Sequence, residues 1–126
     1  MAITVLIADD SAMMRKVVKK NLIALAPDAN VIEVSDGNEA FKEFEAHKSE
    51  VKLVLTDWNM PNLTGIELVR QLRSVDPDKT VPIVMVTSEA TADKVKQAVL
   101  AGVNNYLSKP FTPDSFKEKI GPFLGL

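Results

Sequence analysis

Two hydrophobic periods alternate along the chain. Short apolar runs give way to longer stretches whose apolar residues recur at helical spacing, and the order repeats five times. The first run, Ile3 to Ala8 (ITVLIA), is followed directly by Asp9 and Asp10. Strands buried on both faces read this way. Ser11 or Asp10 can cap the helix that follows, in which Met14, Val17, Val18, Leu22 and Leu25 recur on one side. Arg15, Lys16, Lys19 and Lys20 take the other side and read as a solvated face, and Pro27 lies just past the end. Val31, Ile32 and Val34 mark a second strand, Asp36-Gly37 a turn, and Ala40, Phe41 and Phe44 the apolar side of a second helix. His47, near the end of that helix, reads as exposed.

The third repeat, Val51 to Gly65 (VKLVLTDWNMPNLTG), organises the rest. Leu53-Val54-Leu55 ends in Thr56 and then Asp57, and a turn segment with Asn59, Pro61, Asn62 and Gly65 follows. A helix with Ile66, Val69 and Leu72 runs to Asp76-Pro77. Pro82 to Val86 is the fourth strand, leading into Thr87-Ser88; Ala92, Val95, Ala98 and Val99 make the fourth helix, with Gly102 as its C-cap. Asn105-Tyr106-Leu107 is a short fifth strand ending at Ser108-Lys109-Pro110. Thr112 as N-cap and Pro113 at the first helical position open the last helix. Five β-α repeats predict an α/β domain, a parallel sheet with helices on both faces and right-handed crossovers.

Composition narrows the picture mainly by exclusion. A length of 126 residues suits one domain. A net charge of −2 gives no case for nucleic acid or an anionic membrane surface. With no cysteine and one histidine, thiolate chemistry and His-rich metal sites are excluded. No leader and no membrane-spanning run is evident, so a cytoplasmic protein without membrane insertion is expected.

Parallel strands present their C-terminal ends on one rim, where open α/β folds place their chemistry. Asp9 and Asp10, Asp57, Thr87 and Ser88, and Lys109 all fall at such ends. Taken singly, each reads as a turn former or helix start. Together they are three acids that would repel and raise one another's pKa unless compensated. Mg²⁺, which takes oxygen ligands and retains waters, is the natural compensation, and with Lys109 it balances three carboxylates. One carboxylate can then act as a nucleophile toward phosphorus, with the metal and Lys109 stabilising the transferring group. A phosphoryl group would add negative charge and draw in a hydroxyl such as Thr87.

The motif DWNMPN at Asp57 to Asn62, with Gly65 after it, and Asp9-Asp10, Thr87, Tyr106 and Lys109-Pro110 at the strand ends, resembles the receiver domain of two-component response regulators. The likeness extends over essentially the whole chain and is strongest to the single-domain chemotaxis regulators. It implies a flavodoxin-like, doubly wound five-stranded sheet of order 2-1-3-4-5, with no output domain. It implies Asp57 as phosphoacceptor, and Mg²⁺ held by Asp10, Asp57 and the backbone carbonyl of Asn59, with Asp9 positioning the metal. Thr87 and Lys109 would contact the phosphoryl group, Tyr106 would move inward when Thr87 shifts, and Asn59 and Glu89 would tune dephosphorylation. The Lys109-Pro110 bond is expected to be cis. The implied partners are a sensor histidine kinase, a flagellar motor switch protein bound by the fourth helix, fifth strand and last helix, and a phosphatase; a monomer is expected.

Three positions depart from the pattern. Thr64 stands where the chemotaxis regulators usually have Asp, which predicts altered loop contacts and intact chemistry. Ser11 replaces a Phe of the best-known members. Gly121-Pro122 falls inside the span of the last helix, and an internal proline removes a hydrogen bond and clashes with the preceding turn, so the helix is expected to end or kink near Ile120. Three functions compete. The first is a phosphorylation-controlled switch, in chemotaxis or as a relay or phosphate sink elsewhere. The second is a Mg²⁺-dependent phosphohydrolase of haloacid dehalogenase type, which would want an acid where Asn59 stands. The third is a nucleotide or flavin binder, whose phosphate Asp9-Asp10 would repel.

Overall fold

The computed structural model describes residues 3–126. Strands β1 (Thr4–Ala8), β2 (Asn30–Val34), β3 (Val51–Thr56), β4 (Ile83–Thr87) and β5 (Asn105–Ser108) alternate with helices α1 (Ala12–Leu25), α2 (Gly37–Ala46), α3 (Gly65–Val75), α4 (Ala92–Ala101) and α5 (Pro113–Ile120). All strand pairs are parallel and the sheet order is β2-β1-β3-β4-β5. This is the flavodoxin-like arrangement. No helix among the described residues is long and apolar enough to cross a membrane.

The strand pleat sorts the core into two layers, because successive side chains point to opposite faces. Leu6, Val54, Ile83 and Met85 pack with Phe44 of α2, Leu68, Val69 and Leu72 of α3, and Ala98 of α4. Val5, Ile7, Leu53, Leu55, Val84 and Val86 pack with Val18 and Leu22 of α1 and Phe116 and Ile120 of α5. Helices therefore cover both faces, and the three central strands are buried apart from Lys52 near the start of β3. The edge strands β2 and β5 are partly exposed.

Capping residues set where each helix starts, by giving orphan N–H groups an acceptor. Ser11 caps α1, accepting from the Met14 N–H. Thr112 caps α5 with Pro113 in its first turn, and Gly102 ends α4 at φ 116°. Asp36-Gly37 is not a turn. Asp36 is the N-cap of α2, accepting from the Glu39 N–H at 2.8 Å. Gly37 is the first helical residue, where a Cβ would lie 2.6 Å from the Leu63 carbonyl oxygen. The signal was correct in residue type, but a packing contact with the β3–α3 loop decided its use. Near the C-terminus α5 ends at Ile120, as Pro122 requires, and the chain tightens into a 3₁₀ turn over Gly121–Leu124.

The start of α3 is the tightest joint. Thr64 caps it, and Glu67 reaches back to the Thr64 N–H at 3.1 Å, completing a capping box. The Gly65 N–H donates to the Trp58 carbonyl at 2.7 Å. A Cβ at Gly65 would sit 2.0 Å from the Asp57 carbonyl oxygen, so only glycine lets the helix return this close to the end of β3. Gly65→Ala is expected to cost at least about 2 kcal/mol through enforced backbone displacement. Urea unfolding measures this, and a loss under about 0.5 kcal/mol would show that the joint relaxes freely.

Candidate functional site

The sheet register carries the acids to one place. Ala8 pairs with Thr56, and the Asp57 N–H donates to the Ala8 carbonyl at 2.9 Å, so Asp9 and Asp57 leave adjacent strands side by side. The Lys109 N–H donates to the Thr87 carbonyl at 3.0 Å, which brings the end of β5 beside the end of β4. The Lys109-Pro110 bond is cis.

Lys109 joins the two buried acids. Its ammonium donates to Asp9 Oδ2 at 2.9 Å and to Asp57 Oδ2 at 3.1 Å. The remaining oxygens are also held: Asp9 Oδ1 accepts the Ser11 N–H at 2.9 Å and Asp57 Oδ1 accepts the Trp58 N–H at 2.7 Å. Burial pulls the Lys109 pKa down. The hydrogen bond it donates to Asp9 and the charges of Asp57 and Asp9 outweigh that effect and leave it raised, so the ammonium stays protonated at neutral pH. Asp10 is the exposed third acid, and its carboxylate makes no hydrogen bond among the described residues.

Carboxylate oxygens of Asp9, Asp10 and Asp57 lie within 4.8 Å of one another. Three hard oxygen donors at that spacing, with one member free, fit a divalent cation such as Mg²⁺. The Asn59 carbonyl follows in the same loop, and no backbone hydrogen bond among the described residues consumes it.

Thr87, Tyr106 and Asn59 all meet at Glu89. The Glu89 N–H donates to Thr87 Oγ1 at 3.2 Å, the Tyr106 hydroxyl donates to the Glu89 carbonyl, and Asn59 Nδ2 donates to a Glu89 carboxylate oxygen at 3.1 Å. Thr87 is fully buried, whereas Tyr106 is half-buried against the α2–α4 layer. Burial, then the Glu89 and Asp57 charges, raise the Tyr106 phenol pKa. Ser88 is exposed and makes no side-chain bond among the described residues. Trp58 is buried beside Asp57 with the Lys94 ammonium 4.6 Å from its ring centroid, a cation–π contact from α4.

Residues 5–121 match the model of the response regulator receiver domain. The chain belongs to the response regulator receiver domains. The receiver is 42% identical to the chemotaxis protein CheY1 of Helicobacter pylori, covering 95% of each chain. It is 43% identical to a CheY homolog of Campylobacter jejuni, covering 95% of this chain and 91% of that one. Among solved structures, CheY4 of Vibrio cholerae superposes with a TM-score of 0.84 at 30% identity over 98% of this chain and 99% of that chain. Receivers of this type are signalling switches of two-component systems and bind Mg²⁺ at an acidic pocket. They are not enzymes that turn over a separate substrate.

Two residues at the rim were not singled out by sequence reasoning. Lys94 gave no signal beyond its place on the first turn of α4. Arg15, on the face that reads as solvated, does not end in solvent: its Nη1 donates to the Asp9 carbonyl at 2.7 Å. The cause is the short loop between β1 and α1, which folds the first turn of the helix back over the acid pair.

Removal of the shared cation tests the electrostatics directly. Lys109→Met is expected to fold with a loss of about 1–3 kcal/mol, the cost of leaving buried acceptors without a partner, and Mg²⁺ should raise its melting temperature more than that of the wild type. Thermal unfolding with and without Mg²⁺ measures both effects. Wholesale unfolding would instead make Lys109 a structural keystone.

Proposed function

We propose that the receiver accepts a phosphoryl group on Asp57 from a phosphohistidine of a sensor histidine kinase, as a stand-alone chemotaxis regulator. One observation carries the reading: Asp57 shares a single ammonium with Asp9, and a carboxylate oxygen of Asp57 lies within 4.8 Å of one of Asp10, which has no hydrogen-bond partner among the described residues. Lys109 and the Trp58 N–H hold one oxygen each, so the nucleophile is oriented before a donor arrives. In the transfer an Asp57 carboxylate oxygen bonds to phosphorus. The N–P bond of the phosphohistidine breaks, and its electron pair leaves with the imidazole, which takes a proton from solvent. Asp10, Asp57 and the Asn59 carbonyl, with Asp9 behind them, would hold Mg²⁺, which when bound would supply positive charge at the transferring phosphoryl oxygens. Lys109 supplies the second positive charge. Hydrolysis reverses the state: water attacks phosphorus, the P–O bond to Asp57 breaks, and the carboxylate returns with inorganic phosphate. The Asn59–Glu89 bond spans the approach to the site and sets how easily that water enters.

Phosphorylation replaces a carboxylate charge of about −1 with a group of about −2. Thr87 accepts the Glu89 N–H through its hydroxyl oxygen and keeps its own O–H free to donate to the new oxygens as it shifts toward them. Its movement loads the same peptide segment that Tyr106 holds through the Glu89 carbonyl. The signal thus passes to the α4-β5-α5 face, where Val99 and Leu100 of α4 are exposed. That face suits a flagellar motor switch protein, and a phosphatase would act at the Asn59–Glu89 mouth.

The test is a small phosphodonor with Mg²⁺ followed by intact mass measurement. A phosphoryl adduct is expected on the wild type and not on Asp57→Asn; an adduct that persists in the variant overturns the assignment. The phosphorylated form should bind a motor switch protein more tightly than the unmodified form. Equal affinities would favour a relay or phosphate-sink receiver.

A further inference from the structure

The three acids at the rim are not equally constrained. Asp9 and Asp57 each have both carboxylate oxygens engaged. Asp10 has neither engaged among the described residues, although it contributes an oxygen to the 4.8 Å cluster. Its direction must therefore come from its backbone. The Asp9 carbonyl and the Asp10 N–Cα bond belong to one planar peptide unit, so whatever fixes that carbonyl fixes the origin of the Asp10 side chain.

Arg15 fixes it. Arg15 Nη1 donates to the Asp9 carbonyl at 2.7 Å, a charge-assisted bond at the short end of its range. The guanidinium is itself held from the far side: Nε lies 3.6 Å from Glu33 Oε1, and Lys19 lies 3.4 Å from Glu33 Oε2. Glu33 is fixed in turn by strand register, where it pairs with Ile7, and the Asp9 N–H donates to the Val34 carbonyl at 3.2 Å. On the other side of Asp10, the Ser11 N–H is tied to Asp9 Oδ1. Asp10 thus sits between two anchored peptide groups, and Arg15 supplies the anchor on its N-terminal side.

We propose that Arg15 is the positioning residue for the cation-binding carboxylate of Asp10, with Glu33 as its support. The inference rests on the Mg²⁺ reading above. The alternative is an ion pair at the α1–β2 edge that contributes only stability. The two differ in sign as well as size. Removing a positive charge beside an acidic pocket should, by Coulomb attraction alone, tighten Mg²⁺ binding. Loss of positioning should weaken it, because ligands must be held in place before the cation arrives, and partners behind a metal ligand typically matter 10–100-fold.

The experiment is a Mg²⁺ titration followed by Trp58 emission and repeated by calorimetry, at a temperature where every variant is folded. Arg15→Met should weaken affinity about 10-fold. Arg15→Lys keeps the charge but loses the planar fork that lets one group face both Asp9 and Glu33, and should give an intermediate loss. It also carries the test if Arg15→Met does not fold. A variant that is merely less stable, yet folded, binds Mg²⁺ as the wild type does. Unchanged or tighter binding in both variants overturns the role of Arg15 and leaves the metal site standing, provided that the wild type responds and Asp10→Asn responds less. If the wild type itself shows no Mg²⁺ response, the metal reading and this inference fail together.

Discussion

The arrangement at the rim depends on one ammonium. Parallel pairing of β1 with β3 sets Asp9 and Asp57 at neighbouring strand ends, and the fold then has two largely buried carboxylates to accommodate. Two adjacent like charges repel unless a positive charge lies between them. Lys109, delivered from the end of β5, reaches across the β4 end and sets one positive charge against both. The Asp57 carboxylate is therefore held against a cation in the resting fold. A cation bound by the acids would then share the compensating role, so that Lys109 is available to an incoming phosphoryl oxygen. The resting contact and the proposed catalytic contact are made by the same group.

A second dependence runs through Glu89. Its amide N–H, its carbonyl and its carboxylate are each engaged by a different residue: Thr87, Tyr106 and Asn59. One residue therefore touches the buried hydroxyl at the end of β4, the half-buried aromatic of β5 and the side chain two residues after Asp57. The Glu89 N–H lies in the peptide unit before its Cα and the carbonyl in the unit after it, so the two contacts are separated by a single φ/ψ pair. This gives a physical route for a change at Thr87 to reach Tyr106 without invoking a long pathway. The Lys94–Trp58 contact adds a second link, from the first turn of α4 to the residue after Asp57.

Much of this was legible in the sequence, for identifiable reasons. β1, β3 and β4 are covered on both faces, so each appears as a continuous apolar run, and the residues that follow fall on one rim by topology alone. That is why Asp9, Asp10, Asp57, Thr87 and Lys109 could be gathered before any coordinates. The edge strands were less distinct, because β2 and β5 are partly exposed and their patterns are diluted. Asp36-Gly37 was misread because a cap and a turn use the same residue types, and only the contact with Leu63 distinguishes them. Arg15 was missed because a charged residue on a polar helix face looks the same whether it meets solvent or a backbone carbonyl. Hydrophobic periodicity reports which face of an element is buried, and it says nothing of where a long polar side chain ends.

The departures from the family pattern show how the fold separates chemistry from scaffold. Thr64 replaces an Asp, yet a threonine oxygen serves as an N-cap acceptor as well, and Glu67 closes the box from the other side. With threonine at this position the start of α3 is capped, and the Asp57 carboxylate accepts from Trp58 and Lys109. Gly121-Pro122 shortens α5 but falls after Ile120, the last residue of that helix in the core. Phe116 and Ile120 remain fully buried, so the layer under β4 and β5 is complete before the proline is reached. The 3₁₀ turn then places Phe123 and Leu124 against the same layer, which recovers apolar contact that a longer helix would have supplied. What changes is the outer contour of the chain's end, next to the face through which the switch would be read. The rim chemistry, built from strand ends on the other side of the core, is insulated from it by the packed interior between them.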